Sequence, residues 1–419
     1  MSKEHVVLVT MLKNEAENVL QMLASVEGLY SAVVAGFDDK ATDGTKDLVL
    51  QYFQDKGDIE QVFYDFTWTN SFAEARNHYH RLAREKFPNH AWLLIMDGDD
   101  LLSHGDPSRG VPDGRDIIRK ITSTSPEQFG FKAVNFYVYL DPDPISGIPT
   151  LFYPRCHLVR NEYPDIQWQF ASHNAITVPG EQQVLVREAV IIHHQKPKKR
   201  AEREKQRLEM NVPNLQQQGQ IDGLDGARGL FYLGNTLLDG GDLDGAEKAF
   251  LAYLEKSTWA DERYQARLHL CALYLLRGDA ASAEHQAKEA MQEENQWARA
   301  EAYVVLSDCA LVRGNVLAAI HWLRTATLCK PPVTGLFLQG HLYTWFPHWR
   351  LAMLLDRLGC YREALQHAQK AMEYRPAPEV VMGTQALAQY VADLQARGLE
   401  IASLDKLESY VPIYHAAHT

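Results

Sequence analysis

The run Ala91–Asp100, AWLLIMDGDD, ends an apolar stretch in three carboxylates within four residues. Leu93, Leu94, Ile95 and Met96 read as a buried strand, too short for a helix and too continuous for a half-exposed strand. Asp97, Asp99 and Asp100 then stand at its carboxyl end, the edge at which open α/β sheets bind ligands. Clustered carboxylates repel one another unless a cation intervenes, and oxygen ligands suit hard ions such as Mg2+ or Mn2+. The chemistry on offer is the handling of phosphates by a divalent metal.

Up to about residue 195, short apolar runs alternate with amphipathic segments: Val6–Met11, Ala32–Phe37, Val62–Phe66 and Leu93–Met96. That alternation predicts a sheet with crossover helices. Asn14 followed by Glu17 has the spacing of an N-cap with its capping box, which predicts a helix from Asn14 carrying Val19, Leu20, Leu23 and Val26 on its inner face. Ser103–Gly114 and Asp141–Thr150 are dense in Pro, Gly and Asp and read as loops.

At 419 residues and 46% hydrophobic content, the chain is globular and long enough for two or three domains. A net charge of −12 argues against nucleic acid as a partner. The five cysteines are scattered and never form a CxxC pair, so they predict neither a disulfide framework nor a zinc site, and read as small core residues. Val6–Met11 is too short for a signal segment or a membrane span. A soluble, cytoplasmic protein is expected.

From about Ala227 the composition turns rich in Ala, Leu and Glu, and a repeat emerges. Gly241, Gly278, Gly314 and Gly359, spaced by 37, 36 and 45 residues, are each followed five residues later by an alanine: Ala246, Ala283, Ala319 and Ala364. A glycine ends one helix and a small residue lets the next pack closely, so each unit reads as a helical hairpin. Leu230, Leu233-Gly234, Leu237, Gly241, Ala246 and Phe250 resemble the tetratricopeptide pattern. The longer third interval predicts an insertion of roughly eight or nine residues around Thr334–Thr344, and Glu379–Gly398 could cap the stack. Between the halves, Lys196–Met210 is basic and of helical composition; it reads as a solvated linker helix, although Lys198, Lys199 or Arg200 could reach a diphosphate.

The strand VVLVTMLKNEAENV, the segments FDDKATDGT and WTNSFAEARN, and the strand end MDGDD occur in an order that resembles family-2 glycosyltransferases of the GT-A fold. They are similar in particular to members with a tetratricopeptide tail, among them the peptide S-glycosyltransferases of glycocin biosynthesis. The resemblance implies an α/β GT-A domain with a Rossmann-like mixed sheet, followed by an all-α tetratricopeptide-like solenoid. The boundaries expected are 1–195 for the transferase domain, 196–226 for the basic linker, 227–398 for the repeats and 399–419 for a tail.

Carried over residue by residue, the resemblance sets Asn14 and Glu15 beside the nucleotide and makes Asp38 the acceptor of hydrogen bonds from the base. A carboxylate accepts only, which suits the imide N–H of uracil. Asp43 and Gly44 look like the family's TDGT turn and read as helix capping, whereas Asp39 and Lys40 replace the family's small residues. Arg76, followed by Asn77, is expected to contact the phosphates, which an arginine can bridge bidentately; the alternative is a surface ion pair with Glu74 or Asp65. Asp99 is expected to ligate the metal, and Asp97 to hold ribose or a metal-bound water or to serve as a second ligand.

The stretch His157–Val178 looks like the family segment ending in a His-Glu pair, here His173-Asn174. An asparagine amide cannot take a proton, so the candidate base is His173 or Asp165, with Asp141 and Asp143 as further choices. Trp168 could stack on a sugar face or be a core residue, and Asp100 is a candidate substrate contact. His193, in the His193-His194 pair after the strand Val190–Ile192, resembles a third metal ligand of GT-A folds, or is structural.

The resemblance therefore implies an inverting, Mn2+- or Mg2+-dependent transfer of a sugar from a nucleoside diphosphate donor, of the UDP-sugar kind, to an acceptor nucleophile. The solenoid offers a surface for a peptide or protein acceptor, for a glycan carrier, or for a homodimer. A nucleotidyltransferase and a scaffold with a degenerate transferase domain are the rival readings.

Overall fold

The computed structural model describes residues 6–104, 112–124, 130–140, 151–171, 175–193, 211–220, 223–294, 296–332, 334, 336–374, 378–397 and 403. Two compact units divide near residue 220.

The first unit is built on a mixed eight-stranded sheet. Its strands are β1 (Val6–Leu12), β2 (Ala32–Asp38), β3 (Glu60–Phe66), β4 (Trp92–Ile95), β5 (Asp100–Leu102), β6 (Ala133–Leu140), β7 (Leu151–Arg160) and β10 (Gln183–His193). The order across the sheet is β3-β2-β1-β4-β7-β6-β10-β5, and a small separate ribbon pairs β8 (Gln167–Gln169) with β9 (Ala175–Thr177). The four apolar runs of the sequence are thus β1 to β4.

The central strands are buried on both faces, and their alternation sorts the side chains. Val6 and Leu8 of β1, Val33 and Ala35 of β2, and Trp92 and Leu94 of β4 join one core cluster. It is roofed by Met22 and Leu23 of α1 (Val19–Ser25), Val49 and Phe53 of α2 (Thr45–Gln54), and Ile118 and Ile121 of α4 (Gly114–Ser123). Val7, Val9, Val34, Leu93 and Ile95 face the other way, against Ala73, Tyr79 and Ala83 of α3 (Phe72–Lys86). Continuous apolar strands are what a sheet covered on both sides requires.

β1, β2, β3 and β4 are mutually parallel, with Leu12 level with Phe37 and Val9 level with Ile95. The chain runs outward from β1 through β2 to β3, then returns to lay β4 on the other side of β1. That reversal makes the carboxyl ends of β1 and β4 a topological switch point, where such sheets open a ligand crevice.

The first helix departs from the sequence expectation. It begins at Val19, not Asn14, and Asn18 occupies its N-cap position. Asn14 has φ of 54°, outside the helical range. Val19, Leu23 and Val26 are buried as expected, but Leu20 is exposed.

The second unit repeats one hairpin. Helices 224–239 and 243–256, 260–276 and 280–292, 300–312 and 316–326, and 345–357 and 361–372 pair in turn, and Pro378–Ala396 follows. Gly241, Gly278, Gly314 and Gly359 all have φ between 74° and 81°. In each hairpin the next N–H reaches back to close the helix end: Asp242 to Leu237 O, Asp279 to Tyr274 O, Asn315 to Ala310 O and Cys360 to Leu355 O, at 2.8–2.9 Å. In three of them that same residue caps the following helix, Asp242 accepting from Gly245 N, Asp279 from Ser282 N and Asn315 from Ala318 N. Ala246, Ala283, Ala319 and Ala364 are fully buried where the paired helices meet.

The expected insertion folds onto the first helices of earlier hairpins. Thr334 Oγ1 donates to Asp261 at 2.6 Å, Gln265 Nε2 donates to Phe337 O at 3.3 Å, and the Tyr343 hydroxyl donates to Glu301. Leu336, Leu338 and Leu342 are buried beneath it. Four of the five cysteines are buried and all are free. Among the described residues no helix is long and apolar enough to cross a membrane.

Candidate active site

Just beyond β1 the chain is tied to the turn that precedes α2. Asn14 Oδ1 accepts from Thr42 N at 2.7 Å, Glu15 N donates to Thr45 Oγ1 at 2.8 Å, and Ala16 N donates to Asp43 Oδ2 at 2.9 Å. Asp43 also accepts from Thr45 N at 3.1 Å, next to the left-handed Gly44, in keeping with the capping role read from the sequence. Asp38, at the end of β2, is buried and takes the Lys40 N–H at 2.8 Å and the Lys13 ammonium at 3.0 Å. Asp39 accepts from Thr67 Oγ1, which fastens this corner to the end of β3. A carboxylate has about four acceptor sites, so Asp38 retains capacity for one more donor.

The end of β4 carries the densest charge. Arg76, buried on α3, directs Nη2 at both oxygens of Asp97, each at 2.9 Å. Arg155 of β7 brings Nη2 to 3.0 Å from Asp97 Oδ2 and 2.6 Å from Asp100 Oδ2. Asp100 Oδ2 also takes the backbone N–H of Asp97 at 2.8 Å, which closes the turn around Gly98. A Cβ at Gly98 would lie 2.7 Å from Glu15 Cγ and from Leu12 Cδ2, so only glycine lets the ends of β1 and β4 approach this closely. Burial weighs against charging these arginines, but Asp97 outweighs it at Arg76, as Asp100 and then Asp97 do at Arg155. Both guanidiniums are held above their ordinary range.

Two arginines thus supply the compensating positive charge for Asp97 and Asp100. For Arg76 the partner is the half-buried Asp97, not Glu74 or Asp65. Arg155 is the residue that sequence reasoning missed. It sits mid-strand in LFYPRCHLVR, just before five buried residues, and no pattern in the sequence marks it out.

Trp168 takes the core alternative. It is 5% exposed, too buried to offer a sugar its face, and the Arg76 guanidinium lies 4.6 Å from its ring centroid. Asn77 holds it on both sides, accepting from Trp168 N and donating to Trp168 O at 2.8 Å each. Its indole N–H reaches His80 Nε2 at 3.4 Å. Burial first, then Arg84 and Arg76, push His80 well below the usual histidine range, so it stays neutral. Trp168, Asn77 and His80 form the support on which Arg76 rests.

Of the other candidates, Asp165 is exposed on the turn after β7 and acts electrostatically on Arg84. Arg84 lies eight residues along α3 from Arg76, a distance of about 12 Å. The backbone of His193 pairs with that of Asp100 across β10 and β5; its side chain lies outside the described residues. His173, Asn174, Asp141, Asp143, His194, Lys198, Lys199 and Arg200 also lie outside them.

Asp99 stands half-buried on the same turn as Asp97. Among the described residues no group of three or more His, Cys, Asp or Glu is arranged to hold a metal. Mg2+ typically needs fewer protein ligands, binding through one or two carboxylates, waters and substrate phosphates. Asp97 binds arginine through both of its oxygens.

Residues 7–112 match the model of glycosyl transferase family 2. The family-2 match covers about a quarter of the chain and takes in Asn14, Glu15, Asp38, Arg76 and the three aspartates of the β4 end; it supports a glycosyltransferase. Arg155, Trp168 and the helical repeats lie beyond it. No curated protein sequence matches the chain. Among solved structures, MamA is 18% identical over 43% of this chain and 96% of its own, with a TM-score of 0.34. A thermophilic TPR protein of Thermus thermophilus is 16% identical over 45% and 93%, with a TM-score of 0.32. BtubC from P. vanneervenii is 14% identical over 46% and 85%, with a TM-score of 0.36. Likenesses this low decide nothing, and the repeat stands on the hairpins of the chain itself.

Proposed function

We propose that the protein is a metal-dependent, inverting glycosyltransferase that moves a sugar from a UDP-sugar to a peptide or protein side chain. The observation that carries this reading is the coincidence of the family-2 match with the switch point between β1 and β4. Asp38 accepts the imide N–H of the base, Asn14 and Glu15 flank the nucleotide, and Arg76 faces the diphosphate. Asp99, on this reading, anchors Mn2+ or Mg2+ together with phosphate oxygens. When bound, the ion stabilises negative charge growing on the leaving diphosphate, where fixed positive charge lowers the barrier most directly.

The acceptor must lose a proton as it attacks from the opposite face. His173 is our choice of base, because Asp165 is exposed on its turn and its electrostatic partner is Arg84, eight residues along the helix from Arg76. On this reading residues 1–195 carry the chemistry, 196–226 link, and 227–398 engage the acceptor along the repeats, as the likeness to peptide S-glycosyltransferases implies. The insertion at 334–343 covers part of the first-helix face, so acceptor contacts fall on the remainder.

The test is turnover of a panel of nucleotide sugars with Mn2+ or Mg2+, with intact-mass analysis of candidate peptides. Donor hydrolysis to UDP that vanishes in Asp99→Ala, and a hexose-sized mass gain on a peptide, are expected. No turnover of any donor would overturn the enzyme reading, and transfer only to a free glycan would overturn the polypeptide acceptor.

A further inference from the structure

Two guanidiniums meet at the end of β4, and neither is used up there. Arg76 is 5% exposed, and its Nε and Nη1 have no hydrogen-bond partner among the described residues; nor does Nε of Arg155. Leaving buried charged donors unmet is costly, so a site that keeps three of them is built for an acceptor that arrives from outside. The local charge defines that acceptor. Asp97 and Asp100 set carboxylates between the two guanidiniums, so an anion that enters with a divalent cation suits the place better than a lone anion. A diphosphate chelating such a cation has both properties, and its oxygens match the planar N–H edge of arginine.

We propose that Arg155 is a diphosphate-binding residue that acts with Arg76, the pair bracing Asp97 and Asp100 while offering its unused N–H groups to the phosphates. The proposal rests on the nucleotide-sugar reading of the site and adds to it a residue from β7, outside the family-2 match. Arg155 reaches the site from the antiparallel strand next to β4, so the phosphates are held from both sides of the β4 end. Asp100 serves this seat as a fixed counter-charge for Arg155, being fully buried.

Binding of uridine, UDP and inorganic pyrophosphate to the full chain in Mg2+, measured by calorimetry, tests this directly. Arg155→Met alone strands the buried Asp100, so Arg155→Met/Asp100→Asn is used beside Arg155→Lys, with thermal melting to verify folding. UDP and pyrophosphate are expected to bind about ten-fold or more weakly in the double variant, as loss of a charged hydrogen bond implies. Uridine is expected to change less than about two-fold, and Arg155→Lys to recover part of the loss. Unchanged UDP and pyrophosphate affinity in both variants would overturn the proposal, as would uridine falling in step with UDP. Arg155-dependent binding of pyrophosphate without UDP binding would uphold the seat and sink the nucleotide reading. UDP binding indifferent to Arg155 would do the reverse.

Discussion

The Arg76–Asp97 pair offers a double-mutant cycle whose size follows from the geometry. Arg76 is buried against Trp168, and one nitrogen bridges both carboxylate oxygens at 2.9 Å. Removing one partner of a buried ion pair costs about 3–5 kcal/mol, because the other charge is left behind. Arg76→Met sits at the lower end of that range, about 3 kcal/mol, because Asp97 keeps Arg155 at 3.0 Å and its side chain is 23% exposed. Asp97→Asn strands Arg76 more completely and is expected to cost at least as much. The double variant Arg76→Met/Asp97→Asn is expected to be about 1.5–3 kcal/mol more stable than the sum of the singles, the worth of a charged hydrogen bond. Urea unfolding of all four proteins, followed by circular dichroism, gives the cycle. Additivity within about 0.5 kcal/mol would refute the claim that arginine, and not solvent or metal, is the resting partner of Asp97.

Three further outcomes are expected. Gly98→Ala places a methyl 2.7 Å from Glu15 and Leu12 and should cost about 1–3 kcal/mol while weakening nucleotide binding; unchanged melting and binding would remove the close approach of β1 and β4 from the argument. His157 is fully buried with Nδ1 2.8 Å from Ile95 O, and burial pushes it down to about 4. The unfolded chain therefore takes up this proton near pH 6.5 while the folded one does not, so stability present above 6.5 is lost as pH falls toward 4, by about 3 kcal/mol. A pH series of urea titrations in which His157→Gln keeps the full wild-type slope would contradict this. Gly278→Ala meets no atom within 4 Å but has φ of 75°, so it should cost about 1–2 kcal/mol through the backbone alone, with Gly278→Asn recovering part; equal melting of wild type and Gly278→Ala would refute the left-handed helix end.

Much of this was legible in the sequence because single residues dictate it. Four apolar runs became β1 to β4, and four glycines at repeat spacing became four left-handed helix ends, since few other residues tolerate that conformation. Asp97, Asp99 and Asp100 stood where the strand end required them. Arg155 was not legible, because its role depends on β7 lying antiparallel beside β4, a pairing that no local pattern encodes. For Trp168 the sequence left a sugar-stacking face and a core position open, and only the tertiary fold, which buries it and brings Arg76 onto its ring, favours the core. Asn14 carries both an N-cap signature and tolerance of positive φ, and the tie to Thr42 decided between them.

The most direct test of the site is calorimetric titration of UDP into the full chain with and without Mn2+. One nucleotide per chain is expected to bind, more tightly with the metal, with the metal dependence lost in Asp99→Ala. Absence of binding by any nucleoside diphosphate, with or without the metal, would contradict the assignment of the β1 and β4 ends as a donor site.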